Sequence, residues 1–575
     1  MSPRLVRNLV QYGLVYSMIG LLALFLLYPI WLTVRGGFAA DVATGDGWTL
    51  DHLLLVFQDP STKEGLLNAL GIATMTTLLC VVIALPLAVL TARYTFPGKK
   101  VFNALILVPL ILPPFVGAIG MKALLGRAGA LNAFFDTDWD ILGQGRFWGV
   151  VLVEALHLYP ILYLNATASL ANLDPALDEA AENLGATGWT RFRKIVLPLI
   201  RPGLFAGGTI VFIWSFTELG TPLMFDYDRV TPVQIFNGLK EVENSAAPYA
   251  LTVVMLFTAI LLYILGKLVF GGKGYAMYSK ASRSGTETKL GGVTGWLAAA
   301  AFAFVIGLAI VPHIGVTLVS LSEPGSWYRS VIPSDFTLGH FDVALTNEES
   351  FGSIRNSIFL SGSAVLLDVV IGLIIAYLLV RTKVRGRGLL DAMSMLPLAV
   401  PGLVLAFGYV AMTLRWPFGK GDPLEGVLAV FGSDPNPFPL LIIAYAVRRL
   451  PYIVRSTVAG LEQTSGELEE AAVNLGATRV KAVRKIIIPL ILANIIAGSL
   501  LVFSFSMLEV SDSLILAQKG EHFPITKMIF EFSNRLGDGP YIASAMGVWG
   551  MGLLTVTLIG ASLLLGKKLG SIFRV

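Results

Sequence analysis

Five polar residues in two apolar stretches of this chain have the chemistry to line a path through an apolar environment. They are Ser215 and Glu218 in the first stretch and Ser506, Glu509 and Asp512 in the second. An ionisable side chain is costly in such a segment, so it usually lines a route for ions or solutes, or it pairs with a neighbour. We interpret the five residues as the lining of a translocation path, with Glu218 and Glu509 facing each other. The alternative is that they are packing residues satisfied by Ser, Thr or a basic side chain.

Two adjacent arginines, Arg448 and Arg449, lie in another apolar stretch. They can attract an anion, pair with Glu509 or Asp512, or extend their charged ends to the membrane surface while the aliphatic stems stay in apolar surroundings. We favour the third interpretation. Two further acids in apolar stretches, Glu154 and Asp368, have no partner that the sequence identifies.

A short motif occurs twice, 291 residues apart, in polar stretches between apolar ones. The first copy consists of Glu179, Ala180, Ala181, Gly185 and Pro198, and the second of Glu470, Ala471, Ala472, Gly476 and Pro489. The alanines favour a helix that another surface can approach closely. A glycine with positive φ can end that helix, and the proline is expected to interrupt the next one. The motif therefore predicts a compact helical knob in each half of the chain.

The spacing of this motif resembles the cytoplasmic coupling loop of permease subunits from ATP-driven, binding-protein-dependent importers (type I, the EAA-loop family). Both copies keep the register, although Ile488 stands where the family usually has Leu. The resemblance implies two cytoplasmic ABC ATPase subunits, docked on loops near 173–200 and 464–491, and an extracytoplasmic substrate-binding protein. It also implies no catalytic residue and no cofactor in this chain, because ATP and Mg²⁺ would bind the ATPases. Consistently, the sequence contains no Gly-x-x-x-x-Gly-Lys-Ser/Thr loop.

The composition is that of an integral membrane protein embedded in a lipid bilayer. The 575 residues are 55% apolar and 14% charged, whereas a soluble domain carries about 25% charged residues. The apolar runs are about 20 residues long, which is the length a helix needs to cross a bilayer. Hydropathy predicts about twelve such helices, near 10–34, 66–92, 101–125, 147–170, 203–225, 249–271, 294–320, 356–380, 389–414, 437–457, 494–517 and 543–566.

Charge and cysteine usage indicate neither nucleic-acid binding nor a metal site. The net charge is +4, but the basic residues lie in short loops between apolar segments. Cys80 is the single cysteine, so no intrachain disulfide is possible. The five histidines are scattered and show no metal-ligand spacing.

The loops rich in Lys and Arg predict the orientation of the chain. Basic residues follow the second and eighth predicted helices, surround both motif copies and end the chain. By the positive-inside rule, both termini and both coupling loops are cytoplasmic. The apolar stretch near the N-terminus is too long for a typical signal peptide, so we expect a retained first membrane helix. With the family resemblance, this predicts a multi-pass protein of a prokaryotic plasma (inner) membrane.

The repeat extends beyond the coupling motif and divides the chain into two halves. At an offset of 288, Asn68, Pro109 and Pro113 correspond to Asn356, Pro397 and Pro401. The predicted fold is an all-α polytopic membrane protein with two six-helix permease units related by a pseudo-twofold axis. The units span 1–271 and 291–575, joined by a cytoplasmic linker at 272–290. The four prolines predict kinks in the third and ninth helices.

The substrate can be inferred less directly from the sequence. Fusion of two permease halves in a chain of this size is similar to iron(III) permeases, and also to thiamine and phosphonate permeases. We favour iron(III), because the carboxylates of Glu218, Glu509 and Asp512 suit a hard cation. Thiamine, phosphonate or sugar-phosphate remain open within the importer class. An ion-coupled secondary transporter and a membrane scaffold or receptor are the other classes, but neither has a reason to carry two coupling motifs.

Overall fold

A computed structural model describes residues 3–41, 46–143, 146–171, 173, 180–181, 183–242, 245–270, 288–432 and 435–565. The long helices are α1 (Leu9–Phe38), α2 (Pro60–Arg93), α3 (Lys99–Ile111 and Pro114–Phe135), α4 (Phe147–Ala171), α5 (Gly188–Phe216), α6 (Ala247–Phe270), α7 (Gly292–Leu321), α8 (Glu348–Arg381), α9 (Arg387–Leu398 and Gly402–Thr413), α10 (Phe438–Glu462), α11 (Arg479–Leu490 and Leu492–Met507) and α12 (Gly539–Leu565). Short helices lie at Asp51–Gln58, Gly220–Met224, Thr231–Asn237, Gly238–Glu241, Gly339–Thr346, Glu467–Asn474, Ser511–Leu516, Gly520–His522 and Ile525–Ser533.

The twelve predicted membrane helices are all present as helices in the described part of the chain. Eight of them are long and apolar enough to cross a membrane, and α3, α9 and α11 qualify if each bent pair is one span. The remaining helix, α10, is 25 residues long but contains Arg448 and Arg449, which lower its hydropathy. The prediction of an all-α polytopic membrane protein is confirmed.

The prolines predicted to kink the third and ninth helices break them instead. The two parts of α3 are bent by 94° around Pro113, and the two parts of α9 by 104° before Gly402. Pro113 and Pro401 each immediately precede the second part of their helix, where a missing N–H costs nothing. Both halves of the chain therefore contain a broken third helix at the same position of the repeat.

A wide π-helical turn ends two residues before a proline at three places. The turns are Ala23–Leu27 before Pro29, Phe192–Val196 before Pro198, and Val483–Ile487 before Pro489. Proline cannot donate an N–H, and its ring clashes with the carbonyl four residues earlier. The wider turn moves that carbonyl away, and at Phe25 the carbonyl accepts a hydrogen bond from Tyr409 Oη at 2.8 Å.

The predicted interruption of the coupling-loop helices by proline is only partly correct. α5 runs through Pro198 as one helix, because the π-helical turn accommodates the ring. α11 does break, but at Ile491, two residues beyond Pro489, with a bend of 74°. The two copies of the motif therefore share the π-helical turn, and only the second copy has a helix break after it.

The chain forms two compact units, each of which combines segments of both sequence halves. One consists of Met1–Pro60, Gln234–Leu256 and Leu338–Ile572, and the other of Ser61–Val233, Phe257–Thr337 and Phe573–Val575. In the first unit α1 packs on α9, and in the second unit α7 packs on α3. The first helix of each half thus packs in a unit whose other helices come mainly from the other half.

Equivalent glycines make both of these helix contacts possible. A Cβ atom on Gly408 would lie 2.6 Å from the carbonyl oxygen of Pro29, and one on Gly120 would lie 2.5 Å from that of Pro312. Gly120 and Gly408 are related by the repeat offset of 288. Because both helices approach through backbone atoms, only glycine fits at these positions.

A two-stranded parallel sheet begins directly after α2. It pairs β1 (Tyr94–Thr95) with β2 (Thr288–Lys289) in the register Tyr94 to Thr288. Nearby, Phe302 of α7 packs against the rings of Phe96 and Phe102, with centroids 5.1 Å and 5.8 Å apart. These contacts attach the chain just before α7 to the helices of the first half.

Candidate translocation path and coupling loops

The predicted path residues of the second half form a buried ionic cluster with the two arginines of α10. Arg448 Nη1 donates to Glu509 Oε1 at 2.6 Å and to Asp512 Oδ2 at 3.2 Å. Arg449 Nη2 donates to Glu509 Oε2 and to the Phe505 carbonyl. Glu509 is 4% exposed and Asp512 is fully buried. The favoured expectation that the arginines extend to the membrane surface was wrong, because two buried carboxylates lie within hydrogen-bonding reach.

Arg448 also ties the ionic cluster to the break in α9. The guanidinium group lies so close to Gly402 that a Cβ atom there would overlap it. Gly402 begins the second part of α9, whereas Glu509 and Asp512 flank the start of the short helix Ser511–Leu516. One side chain therefore connects α10, the α9 break and the segment after α11.

Asp368 of α8 adds a third carboxyl group to this region. It is 1% exposed, and neither of its carboxylate oxygens has a hydrogen-bond partner among the described residues. Its charge interacts with Arg449. The sequence could not identify this neighbour, because α8 and α10 are separated by the whole of α9.

The corresponding region of the first half is built differently. Ser215 donates its hydroxyl to Glu154 Oε2, and both side chains are buried. Glu218 Oε1 accepts from the backbone N–H of Thr221 at 3.2 Å, at the start of the helix Gly220–Met224. Ser215 is thus the partner of Glu154 that sequence reasoning missed. Glu218 bonds a Thr residue, as the packing alternative expected.

His157 and Arg448, which occupy equivalent positions in the two halves, both contact the broken helix beside them. His157 Nδ1 donates to the Pro109 carbonyl at 2.8 Å, and Arg448 lies against Gly402. Each half therefore places a polar side chain of its fourth helix at the break in its third. Glu218 and Glu509 belong to different compact units, so their facing each other stays a prediction.

In the first coupling loop, Glu179 lies outside the described residues. Ala180 and Ala181 are helical, with Ala180 exposed and Ala181 buried. Gly185 comes next in the motif, with φ of +73°, and has no atom near the position of a Cβ. The positive φ expected of this glycine is confirmed.

In the second coupling loop, the motif forms the helix Glu467–Asn474, called here the second coupling helix. Glu470 and Ala471 are exposed on it, and Gly476 lies just after its end with φ of +90°, as predicted. The neighbouring Glu469 is buried instead, because it accepts a hydrogen bond from Tyr377 Oη at 2.6 Å. The helix therefore presents one face outward while Glu469 anchors the other to α8.

The two halves also share a hydrogen bond that holds the start of their second helix. Asn68 Nδ2 donates to the Arg229 carbonyl at 2.8 Å, and Asn356 Nδ2 donates to the Glu521 carbonyl at 2.9 Å. These asparagines are a pair that the sequence repeat identifies. Equivalent side chains thus make equivalent contacts in the two halves.

Among the described residues, no group of three or more His, Cys, Asp or Glu side chains is placed to hold a metal ion. The carboxyl groups of Glu509 and Asp512 are arranged instead to receive guanidinium hydrogen bonds. The chemistry that this arrangement supports is a charged, hydrogen-bonded connection between helices.

The sequence profile of the family described as binding-protein-dependent transport system inner membrane component matches residues 84–272 and 368–563, once in each half. The ferric transport system permease protein FbpB of Actinobacillus pleuropneumoniae is 24% identical over 93% of this chain and 75% of its own length. A putative ferric transport system permease protein FbpB 1 of Haemophilus influenzae is 24% identical over 86% of this chain and 76% of its own. A probable molybdenum ABC transporter permease protein of Haloferax volcanii is 32% identical over 44% of this chain and 88% of its own.

Proposed function

This chain belongs to the family of binding-protein-dependent transport system inner membrane components, and from that premise we propose that it is a fused permease that imports iron(III) when driven by separate ATPases. The observation that carries the proposal is the duplicated coupling motif, one copy within each of the two family matches. The chain is a multi-pass transport subunit, and hydrolysis of ATP belongs to its partners.

Each coupling loop docks one cytoplasmic ATPase subunit in this proposal. Glu470 and Ala471 are exposed on the second coupling helix, while Glu469 fixes that helix to α8 through Tyr377. A docking surface that is rigidly attached to a membrane helix can transmit the movement of a partner to the helices. We place both termini and both loops in the cytoplasm, and an extracytoplasmic binding protein on the opposite face.

Charge reversal in both loops tests the docking. Glu179→Arg together with Glu470→Arg is expected to abolish co-purification of the ATPase, because each places a cation in the docking surface. Glu462→Arg, an exposed residue at the end of α10, is the matched control and should leave co-purification intact. ATPase retained by the double variant at the wild-type level would contradict the docking proposal.

Iron(III) is the proposed solute for two reasons. The two relatives that align over most of the chain are named as ferric transport permeases. In addition, Arg448 and Arg449 are already bonded to carboxylates, so they present no separate cationic site to an anion. Three carboxyl groups, those of Asp368, Glu509 and Asp512, accompany these two guanidinium groups, and carboxylates suit hard cations.

Molybdate is the second candidate, because the Haloferax volcanii relative has the higher identity over its shorter match. Stimulation of the assembled transporter's ATPase activity separates the two candidates. The iron-loaded binding protein of this system is expected to stimulate hydrolysis, and molybdate is expected to have no effect. Stimulation that requires molybdate and not iron would assign the chain to oxyanion import.

A further inference from the structure

A pocket of about 420 Å³ lies beside the second coupling helix. We call it the coupling-helix pocket. Its charged and aromatic lining consists of Tyr12, Arg381, Lys383, Glu469, Glu470 and Arg479. The pocket lies within one compact unit, and the size suits a small polar group rather than a single water molecule.

The described lining of the coupling-helix pocket has an excess of positive charge. Three cationic side chains stand against two carboxylates, and Glu469 is already engaged by Tyr377 Oη at 2.6 Å and by Arg479 Nη1 at 3.7 Å. Lys383 is exposed, and it makes no ion pair among the described residues. An anion entering the pocket would therefore meet cations whose charge is not fully neutralised.

Arg381 is fixed in place at one wall of the pocket. Its Nη2 donates to the Leu461 carbonyl at 3.0 Å and to the Thr464 carbonyl at 2.5 Å. Its Nε is buried and has no partner among the described residues. An ordered guanidinium group with an unused donor is well suited to an oxyanion, because charge-assisted hydrogen bonds are strong and directional.

The pocket is at the level where helices leave the membrane. Tyr12 lies near the start of α1, Arg381 is the last residue of α8, and the second coupling helix forms a third wall. A ligand that is held by the cations of this pocket can therefore extend its apolar part along α1 and α8. Basic pockets between membrane helices on the cytoplasmic side are typical sites for anionic lipid headgroups.

The equivalent surface of the first half is covered by the chain itself. Arg93 corresponds to Arg381 at the repeat offset of 288, and the residues after it, Tyr94 and Thr95, pair with the strand Thr288–Lys289. In the second half, the residues just after Arg381 form no strand and line the open pocket instead. The repeat thus leaves only one of these two equivalent surfaces open.

We propose that the coupling-helix pocket binds the phosphate group of an anionic phospholipid. The guanidinium of Arg381, the ammonium of Lys383 and the guanidinium of Arg479 hold the phosphate oxygens, and the acyl chains lie along α1 and α8. Because Glu469 and Glu470 line the same pocket, a bound headgroup braces the second coupling helix. The binding itself does not depend on which solute is transported, whereas its effect on coupling rests on the proposed ATPase docking.

Native mass spectrometry of the purified chain tests the proposal. Wild-type protein is expected to retain phosphatidylglycerol in preference to phosphatidylcholine. Lys383→Gln should weaken phosphatidylglycerol binding about fivefold and Lys383→Gln/Arg479→Gln about 30-fold, at about 1 kcal/mol for each cation removed. Lys383→Arg, which keeps the charge, should bind as wild type does.

The control removes two charges from the same loop but outside the pocket. Arg484→Gln/Lys485→Gln changes exposed residues of the π-helical turn and should leave lipid binding unchanged. Equal loss in both double variants would overturn the site, as would wild-type binding by Lys383→Gln/Arg479→Gln. Inorganic phosphate is the second probe: affinity equal to that of the lipid would assign the pocket to a free anion and overturn the phospholipid proposal.

Hydrogen exchange in nanodiscs measures the bracing directly. Amides of 467–474 should exchange more slowly in phosphatidylglycerol than in phosphatidylcholine nanodiscs, and Lys383→Gln should remove the difference. Identical exchange in both lipids for the wild type would contradict bracing of the coupling helix. This measurement needs no ATPase, so it distinguishes failure of the lipid site from failure of the docking proposal.

Discussion

At the scale of single residues, the buried charges show how the two halves diverged on one plan. Arg448 and Arg449 bond Glu509, whereas Glu218 caps a short helix through Thr221. The sequence located these charges and included the Arg448–Glu509 pair among three alternatives. It could not choose, because the choice depends on where α10 lies relative to the end of α11, which no local pattern encodes.

Removing one partner from the ionic cluster should be costly. Arg448→Met is expected to destabilise the protein by about 3–5 kcal/mol, because it leaves Glu509 and Asp512 with less compensation in a buried site. Arg448→Met/Glu509→Met should recover much of this loss, since it removes both members of the pair. Unfolding in detergent measures the cycle, and strictly additive effects of the two substitutions would show that the pair is not coupled.

Glu218 provides the test of a path role at this scale. Glu218→Gln keeps the size and the hydrogen-bond acceptor of the side chain but removes its charge. We expect iron uptake to fall by about tenfold, while ATPase co-purification stays at the wild-type level, because the residue is remote from the coupling motif. Wild-type uptake by this variant would assign Glu218 to helix capping alone.

At the scale of elements, prolines and glycines determine the shape of the membrane helices. The sequence predicted kinks at Pro113 and Pro401, and the structure contains breaks there. It did not predict the π-helical turns, because these depend on neighbours such as Tyr409, which bonds the Phe25 carbonyl that the turn displaces. Hydropathy found the segments, but bends and wide turns arise from contacts that sequence spacing does not specify.

The glycine contact between α1 and α9 leads to a quantitative expectation. Gly408→Ala should destabilise the protein by about 1–3 kcal/mol, because the new methyl group would overlap the backbone of Pro29. Gly362→Ala is the matched control, since this glycine of α8 has nothing near its Cβ position and alanine favours helix. Thermal unfolding in detergent compares them, and equal melting temperatures would contradict the close approach.

At the scale of the whole molecule, the repeat accounts for most of the architecture. The family profile matches once in each half, and Asn68 and Asn356 make equivalent hydrogen bonds. The packing of α1 on α9 and of α7 on α3 was beyond sequence reasoning, because hydropathy locates a membrane helix without identifying its neighbours. This exchange makes each compact unit depend on both halves.

Separate expression of the halves tests that dependence. Residues 1–280 and 281–575, produced together, are expected to co-purify as a complex, because α1 and α7 each complete a unit built mainly from the other fragment. Either fragment alone should accumulate poorly, since its broken third helix would lack the helix packed on it. Stable accumulation of each fragment by itself would show that the halves fold independently.

Import driven through the coupling loops can be tested by measuring ATP-dependent accumulation of radioactive iron(III) in proteoliposomes. The vesicles would contain this chain with its ATPase, and the binding protein would be supplied on the opposite side. We expect accumulation that requires ATP and disappears in Glu179→Arg/Glu470→Arg. Iron accumulation that is independent of ATP, or that persists in this double variant, would contradict import driven through the two coupling loops.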